Sequence, residues 1–257
     1  MSLGHGAKKS IVAHGGTPSA VFSLRQLYRY SGPILKIRRS SDDTTQDFYF
    51  SNTQYGIPED DILTFVGAND GFVETWYDQS GNGHHATRST LSEQPKIVSS
   101  GVIEKSNSRP TLVFSGAQRL LTTSGNITFG SSFGVFDRSN VQQVIGQLNT
   151  SQYRGLFPGS ADDLYWTHEA YAKDGGSLVD ITGGSSPLPY ANVGLFQATG
   201  VGTPNSVSIR ENLVWLGYGI PAYAYLTGSI SEIVIFDSDI RSKRTYIEND
   251  QMEYYNI

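Results

Sequence analysis

Residues 75–86 read TWYDQSGNGHHA, and their pattern decides the fold class. An aromatic pair, an acid and an amide stand at the end of a strand over 72–77, and Ser80-Gly81-Asn82-Gly83 then turns the chain sharply. Gly and Asn tolerate the backbone angles that tight turns need. Trp76 and Tyr77 are adjacent on extended chain and point to opposite faces, so at least one belongs to a core. Residues 225–257, YLTGSISEIVIFDSDIRSKRTYIENDQMEYYNI, predict a buried strand over 230–236, a short turn and a closing helix to about Tyr254. Ser238 or Asp239 would cap that helix. Ile240 and Ile247, seven residues apart, would pack one of its faces on the sheet.

Working outward, strand-like runs recur at 34–39, 46–50, 96–98, 111–114, 134–136, 142–145, 164–166, 194–198, 206–210 and 213–216. Gly, Ser, Asn and Pro separate them at short intervals, which is the signature of a sandwich and not of alternating strands and helices. Residues 21–30 fit a short helix or a strand equally well. Pro58 followed by Glu59, Asp60 and Asp61 makes an acidic first helical turn before Ile62, Leu63, Phe65 and Val66. Acids favour the positive end of a helix, and Gly67 can end it. Lys36-Ile37-Arg38-Arg39 alternates like a strand with an exposed basic face. The expectation is an all-β chain, a β-sandwich with a few short helices. Residues 1–18 form an extended arm without periodicity, and 19–257 form one domain.

Composition removes several function classes. The net charge is −5 and no long basic patch exists. Nucleic acid is therefore not an expected partner, because phosphate binding needs clustered Lys and Arg. The chain has no cysteine. That rules out a disulfide framework, a thiolate nucleophile and a Cys-bound zinc, and suits folding in a reducing cytoplasm. No segment approaches the roughly 18 apolar residues of a membrane span, so no membrane is expected. The first sixteen residues, MSLGHGAKKSIVAHGG, lack an apolar run of signal-peptide length.

The WYDQSGNG block and the final strand and helix resemble the concanavalin A-like, laminin-G-like jelly roll. Residues 22–50, FSLRQLYRYSGPILKIRRSSDDTTQDFYF, and 61–103, DILTFVGANDGFVETWYDQSGNGHHATRSTLSEQPKIVSSGVI, are similar to the catalytic-domain branch of the α-L-arabinofuranosidase B family. The same block resembles phage and prophage structural components. The opening MSLGHGA resembles laminin-G-like virion proteins of contractile-tailed phages, cyanophages among them. The enzyme resemblance implies a sugar pocket walled by a disulfide-bonded pair of adjacent cysteines. A chain without cysteine cannot build that wall, so the resemblance carries the scaffold and no catalytic residue.

Several residues are candidates for chemistry. Asp78, Gln79 and Asn82 can hydrogen-bond sugar hydroxyls, with Trp76 or Tyr77 stacking on the ring. Alternatively, Asp78 accepts hydrogen bonds from the amides of the following turn. Tyr165 and Trp166 are further candidates for ligand contact, within a set of loop aromatics that includes Tyr153, Tyr171 and Tyr190. A glycosidase needs two carboxyl groups about 5 to 9.5 Å apart. Asp162, Asp163 and Glu169 are the loop candidates, while Glu232 lies inside an apolar strand. His84 and His85 face opposite ways on extended chain and lack a third ligand, and Asp42, Asp43 and Asp47 do not have calcium-loop spacing. No metal and no cofactor is expected.

These readings together lead to an expectation of a non-enzymatic virion protein, made in a host cytoplasm. It would decorate a capsid or serve in the tail adsorption apparatus. Its partners would be other virion subunits, in a homo-oligomeric assembly, and cell-surface or environmental glycans. A free lectin-like module and an arabinofuranosidase-type glycoside hydrolase are the alternatives.

Overall fold

The structure, a computed structural model, describes residues 16–27, 30–50, 56–122, 127, 131–138, 225–238 and 240–257. It also gives the backbone of six short strands between 145 and 216. In chain order the strands open with β1 (Pro18–Ser23), β2 (Leu35–Arg39), β3 (Thr45–Phe48), β4 (Gly71–Trp76), β5 (Ala86–Thr87) and β6 (Lys96–Ser99). Then come β7 (Val102–Ile103), β8 (Lys105–Ser106), β9 (Arg109–Pro110), β10 (Leu112–Ser115), β11 (Leu120–Thr122) and β12 (Ser131–Arg138). The remainder are β13 (Ile145–Gln147), β14 (Gly155–Leu156), β15 (Ala170–Lys173), β16 (Val179–Asp180), β17 (Gly194–Thr199), β18 (Val214–Leu216) and β19 (Thr227–Phe236). Helix α1 (Glu59–Val66) joins β3 to β4, and helix α2 (Arg244–Tyr255) closes the chain.

All pairings between these strands are antiparallel, and they sort into two layers. In the first, β19 is the central strand. Along one edge it pairs with β12, which passes the ladder to β17, β15 and β16. Along the other edge β1 takes residues 232–236 and β10 takes residues 227–230. In the second layer β3, β2 and β4 are neighbours, and β4 continues to β6 at one end and β5 at the other. From β5 the ladder runs through β11, β18, β13 and β14. The layers join where β10 also pairs with β6, Val113 opposite Lys96. The all-β sandwich expected from the spacing of strand signals is therefore the observed architecture.

The final strand shows why SEIVIF has no polar alternation. Ile233 and Ile235 enter the main core between the layers, with Phe22, Leu35, Ile37, Val73, Trp76 and Ile97. Val234 and Phe236 face the other way, into a second cluster with Val21, Phe133, Ile240 and Ile247. A strand covered on both faces reads as a continuous apolar run. Ile240 and Ile247 share this cluster, although only Ile247 lies on the closing helix and Ile240 precedes it. Phe22 of the first layer meets Trp76 of the second edge to face, with ring centroids 5.9 Å apart. The buried indole N–H donates to the Ser23 carbonyl oxygen, 3.4 Å.

Some local expectations change. Of the described residues within 21–30, open to either reading, only 21–23 are strand, the end of one that begins at Pro18. Helix α1 starts after Pro58 with Glu59, Asp60 and Asp61 in its first turn and stops at Gly67, whose φ is +63°. Helix α2 is not capped by Ser238. A 3-10 turn, Arg241–Lys243, intervenes, and Lys243 takes the cap position without a side-chain hydrogen bond. Asp239 and the expected strands over 164–166 and 206–210 lie outside the described residues.

The basic run at 36–39 is less exposed than its alternation suggests. Arg38 is buried over the Phe72 ring, 4.7 Å from its centroid, and donates to Gln94 Oε1 and Asp43 Oδ1. Its long aliphatic stem covers apolar surface while partners satisfy the head.

Gly101 marks a close approach. Its φ is +77°, and a Cβ there would stand 2.9 Å from the Gly67 carbonyl oxygen. Backbone atoms cannot step aside as a side chain can. The Gly101→Ala variant should lose about 1–3 kcal/mol in urea unfolding, with unchanged far-UV dichroism.

Candidate functional site

The turn after β4 was the first candidate for ligand contact, and its geometry can be built residue by residue. Strand β1 has β19 on one edge, and residues 78–82 cover the other. Asp78 Oδ1 accepts from the Val21 N–H, 2.8 Å, and the Ser80 N–H, 2.9 Å. Asp78 Oδ2 accepts from the Ser80 hydroxyl, 2.7 Å, and the His84 N–H, 3.1 Å. The Gln79 N–H donates to the Val21 carbonyl oxygen, 2.8 Å. The Gln79 side-chain amide donates to the carbonyl oxygens of Ser23 and Arg25 and accepts from the Leu27 N–H. The Asn82 amide donates to the carbonyl oxygens of Pro18, 3.1 Å, and Ser19, 2.9 Å. The motif thus clasps the free edge of β1, satisfying backbone groups that an edge strand otherwise leaves open.

This placement corrects the ligand-contact reading for three residues. Trp76, Asp78 and Gln79 are each fully enclosed, so none can touch a ligand. Trp76 is the core member of the aromatic pair, and Tyr77 is the outward one. Asn82 is exposed, but its amide is engaged with β1. Tyr165 and Trp166 lie outside the described residues, as do Asp162, Asp163, Glu169, Tyr153 and Tyr190, and Tyr171 is described in backbone only.

Glu232 is also enclosed. It accepts from the Ser23 hydroxyl at 2.8 Å, Arg25 Nε at 2.8 Å, Arg25 Nη2 at 3.2 Å, Gln251 Nε2 at 2.8 Å and the Tyr255 hydroxyl at 3.0 Å. The Arg25 guanidinium bridges further to Asp250, 2.7 Å, and lies 4.6 Å from the Tyr254 ring centroid. Burial works against the Arg25 charge, but the charge and hydrogen bond of Glu232, with Tyr255 and Asp250, together hold the guanidinium above its ordinary pKa. Burial raises the Asp250 carboxyl, with Arg25 opposing. This cluster fastens α2 to the first layer and leaves Glu232 no lone pair for chemistry on a substrate.

One surface group escaped the sequence reading. The Tyr77 hydroxyl donates to Asp47 Oδ1, 2.8 Å, and its ring meets His85 edge to face with centroids 4.9 Å apart. The His85 Nδ1 accepts from the Asp78 N–H, 3.1 Å. Tyr49 follows β3 and is 52% exposed. Burial raises the Tyr77 phenol, and the bond to and charge of Asp47 add to it, with Tyr30 and Tyr49 contributing. The Tyr30 phenol is raised by burial, then by Asp78, Tyr49 and Asp47. Asp42 and Asp43 bind Arg39 and Arg38 instead of a common point. Among the described residues no cluster of three His, Asp or Glu side chains could hold a metal.

The fold has known counterparts. No protein-family model matches the chain, and no curated protein matches it in sequence. Among solved structures, a GH54 α-L-arabinofuranosidase soaked with a cyclic sulfate inhibitor matches over 91% of this chain, with 17% identity and a TM-score of 0.58. An arabinofuranosidase complexed with arabinofuranosyl-α-1,2-xylobiose matches over 93%, with 18% identity and a TM-score of 0.58. The chain spans 62% and 63% of the length of those two proteins. At this identity the likeness fixes the fold, a β-sandwich of the kind these enzymes use. The expectation of a non-enzyme is corrected by the same finding, since the matched structures are arabinofuranosidases over most of the chain.

Two outcomes follow from the clasp. Asp78→Asn keeps the shape but turns one acceptor into a donor facing the His84 N–H and the Ser80 hydroxyl. A loss of about 1–3 kcal/mol is expected in urea unfolding. Burial lowers the His85 pKa below its ordinary 6.5, with Asp78 opposing and His84 reinforcing. A depressed histidine contributes stability that is complete above pH 6.5 and is lost as pH falls from there through the folded pKa. Unfolding midpoints between pH 7.5 and 5.5 should therefore drop more in the native protein than in His85→Asn.

Proposed function

We propose that the chain is a glycoside hydrolase of arabinofuranosidase type, acting on α-L-arabinofuranosyl groups of an arabinose-containing polysaccharide. The observation that supports it most is the match to arabinofuranosidases over 91–93% of the chain, one of them holding an arabinose-substituted xylobiose. The scaffold alone does not assign residues.

The described residues narrow the choice of acids. Asp78 and Glu232 are committed to the clasp and to the α2 cluster and are enclosed by protein. The carboxyl pair that such a reaction needs is then to be sought in Asp162, Asp163 and Glu169, one as the proton donor to the leaving oxygen and one facing the anomeric carbon. A chain with no cysteine must shape its sugar pocket without a disulfide wall. A place on a virion rests on the sequence resemblance alone, and antibody labelling of phage particles tests it.

The deciding experiment is turnover of 4-nitrophenyl α-L-arabinofuranoside by the purified, folded chain. Release of 4-nitrophenolate is expected. At least one of Asp162→Asn, Asp163→Asn and Glu169→Gln should lower it about a hundredfold or more, with the unfolding midpoint unchanged. A folded protein that releases no product above the spontaneous rate overturns the reading.

A further inference from the structure

We propose that Tyr30, Tyr49, Tyr77, His85 and Asp47 form a second, surface site for a neutral oligosaccharide. The five residues come from four separate segments: the loop before β2, the end of β3, the residue after β4 and the residue before β5. Their convergence on the outer side of the β2–β3–β4 layer is a product of the fold, not of sequence proximity.

The Tyr77 and His85 rings are held in place. Tyr77 is fixed at its hydroxyl by Asp47 and along its side by His85. His85 is fixed in turn through its Nδ1 by the Asp78 N–H. Tyr30 packs directly over Gly32, where a side chain would collide with its ring. Phe48 points into the core, so Tyr49 shares the outer face of the strand end with Asp47 and keeps half its surface in solvent. Rigid aromatic faces with polar tips lose little freedom on binding, and their apolar faces match the C–H faces of sugar rings. The Asp47 carboxylate, which accepts from the Tyr77 hydroxyl, brings a polar acceptor to the same surface.

Charge selects the ligand. Among the described residues, the groups that act electrostatically on Tyr30 and Tyr77 include Asp47, Asp78 and other tyrosines. Lys36, opposite Asp47 in the β2–β3 register, sends its ammonium to Glu74, 3.4 Å away. Asp47 puts a carboxylate against the Tyr77 ring's hydroxyl, and this negative charge disfavours phosphates, sulfates and uronic acids. The same surface accepts a neutral glycan. The choice of arabinose-bearing xylan as that glycan rests on the hydrolase reading above; the site itself requires no catalysis.

Affinity electrophoresis in gels containing soluble arabinoxylan tests the site. Retarded migration of the native chain is expected. Tyr49→Ala should weaken apparent affinity by about twofold to tenfold, the worth of one stacked aromatic ring. Its urea midpoint should match the native one, since Tyr49 is half exposed. Asp47→Asn should weaken retardation as well, and anionic polygalacturonate should give none. Absence of retardation by arabinoxylan, or equal retardation of all three proteins, overturns the proposal. Turnover of the chromogenic arabinoside is read separately: its absence removes the hydrolase reading and leaves a positive binding result standing.

Discussion

The Asp78 carboxylate is the constraint on which most of the observed geometry depends. It sits in a tight turn and accepts four hydrogen bonds, one of them from Val21, 57 residues away. A charged group this enclosed is tolerated only when its lone pairs are used. Here they organise the turn and seal an exposed strand edge at once. With Gln79 and Asn82 on neighbouring carbonyl oxygens, β1 has partners on both sides although only one of them is a strand. The orientation of Tyr77 and His85 follows, because both leave the same turn.

A second buried charge does a comparable job on the opposite side of the first layer. Arg25 and Glu232 join the end of β1 to the centre of β19 and to α2 through Gln251, Asp250 and Tyr255. Such pairs add little net stability compared with apolar packing, but they reject wrong arrangements, since either charge alone is costly to bury. The helix is thereby seated in one register over Val234 and Phe236.

Much of the scaffold was legible in the sequence. The alternation failure in SEIVIF signalled a strand covered on both faces, and the acidic turn after Pro58 located α1. Parity along the chain required one of Trp76 and Tyr77 to be internal, and it is Trp76. The local half of the Asp78 pattern was readable too, because the Ser80 amide is two residues away. Its long-range half was not: nothing in residues 18–23 announces which turn will cover their edge. The same holds for Glu232, whose partners Arg25 and Gln251 are 207 residues before it and 19 after it. The group of Tyr30, Tyr49 and Tyr77 left no periodic trace, since each lies in a different connection. Solvent exposure and pairing, which decide whether a tyrosine serves the core or the surface, are properties of the assembled layers.

The position of β19 in the ladder carries a temporal consequence. This strand pairs with β1, β10 and β12, yet it follows all of them in the chain. Synthesis runs from the N-terminus, so the nascent chain emerges with three strands waiting for a partner not yet made. Until residue 236 clears the ribosome, the apolar faces of Val21, Phe22 and Phe133 have no central strand to pack beside. Contacts of such long sequence separation form slowly and leave edges open to neighbouring chains. A fragment that stops before Thr227 would leave those edges uncovered, the consequence of a sheet whose keystone is delivered last.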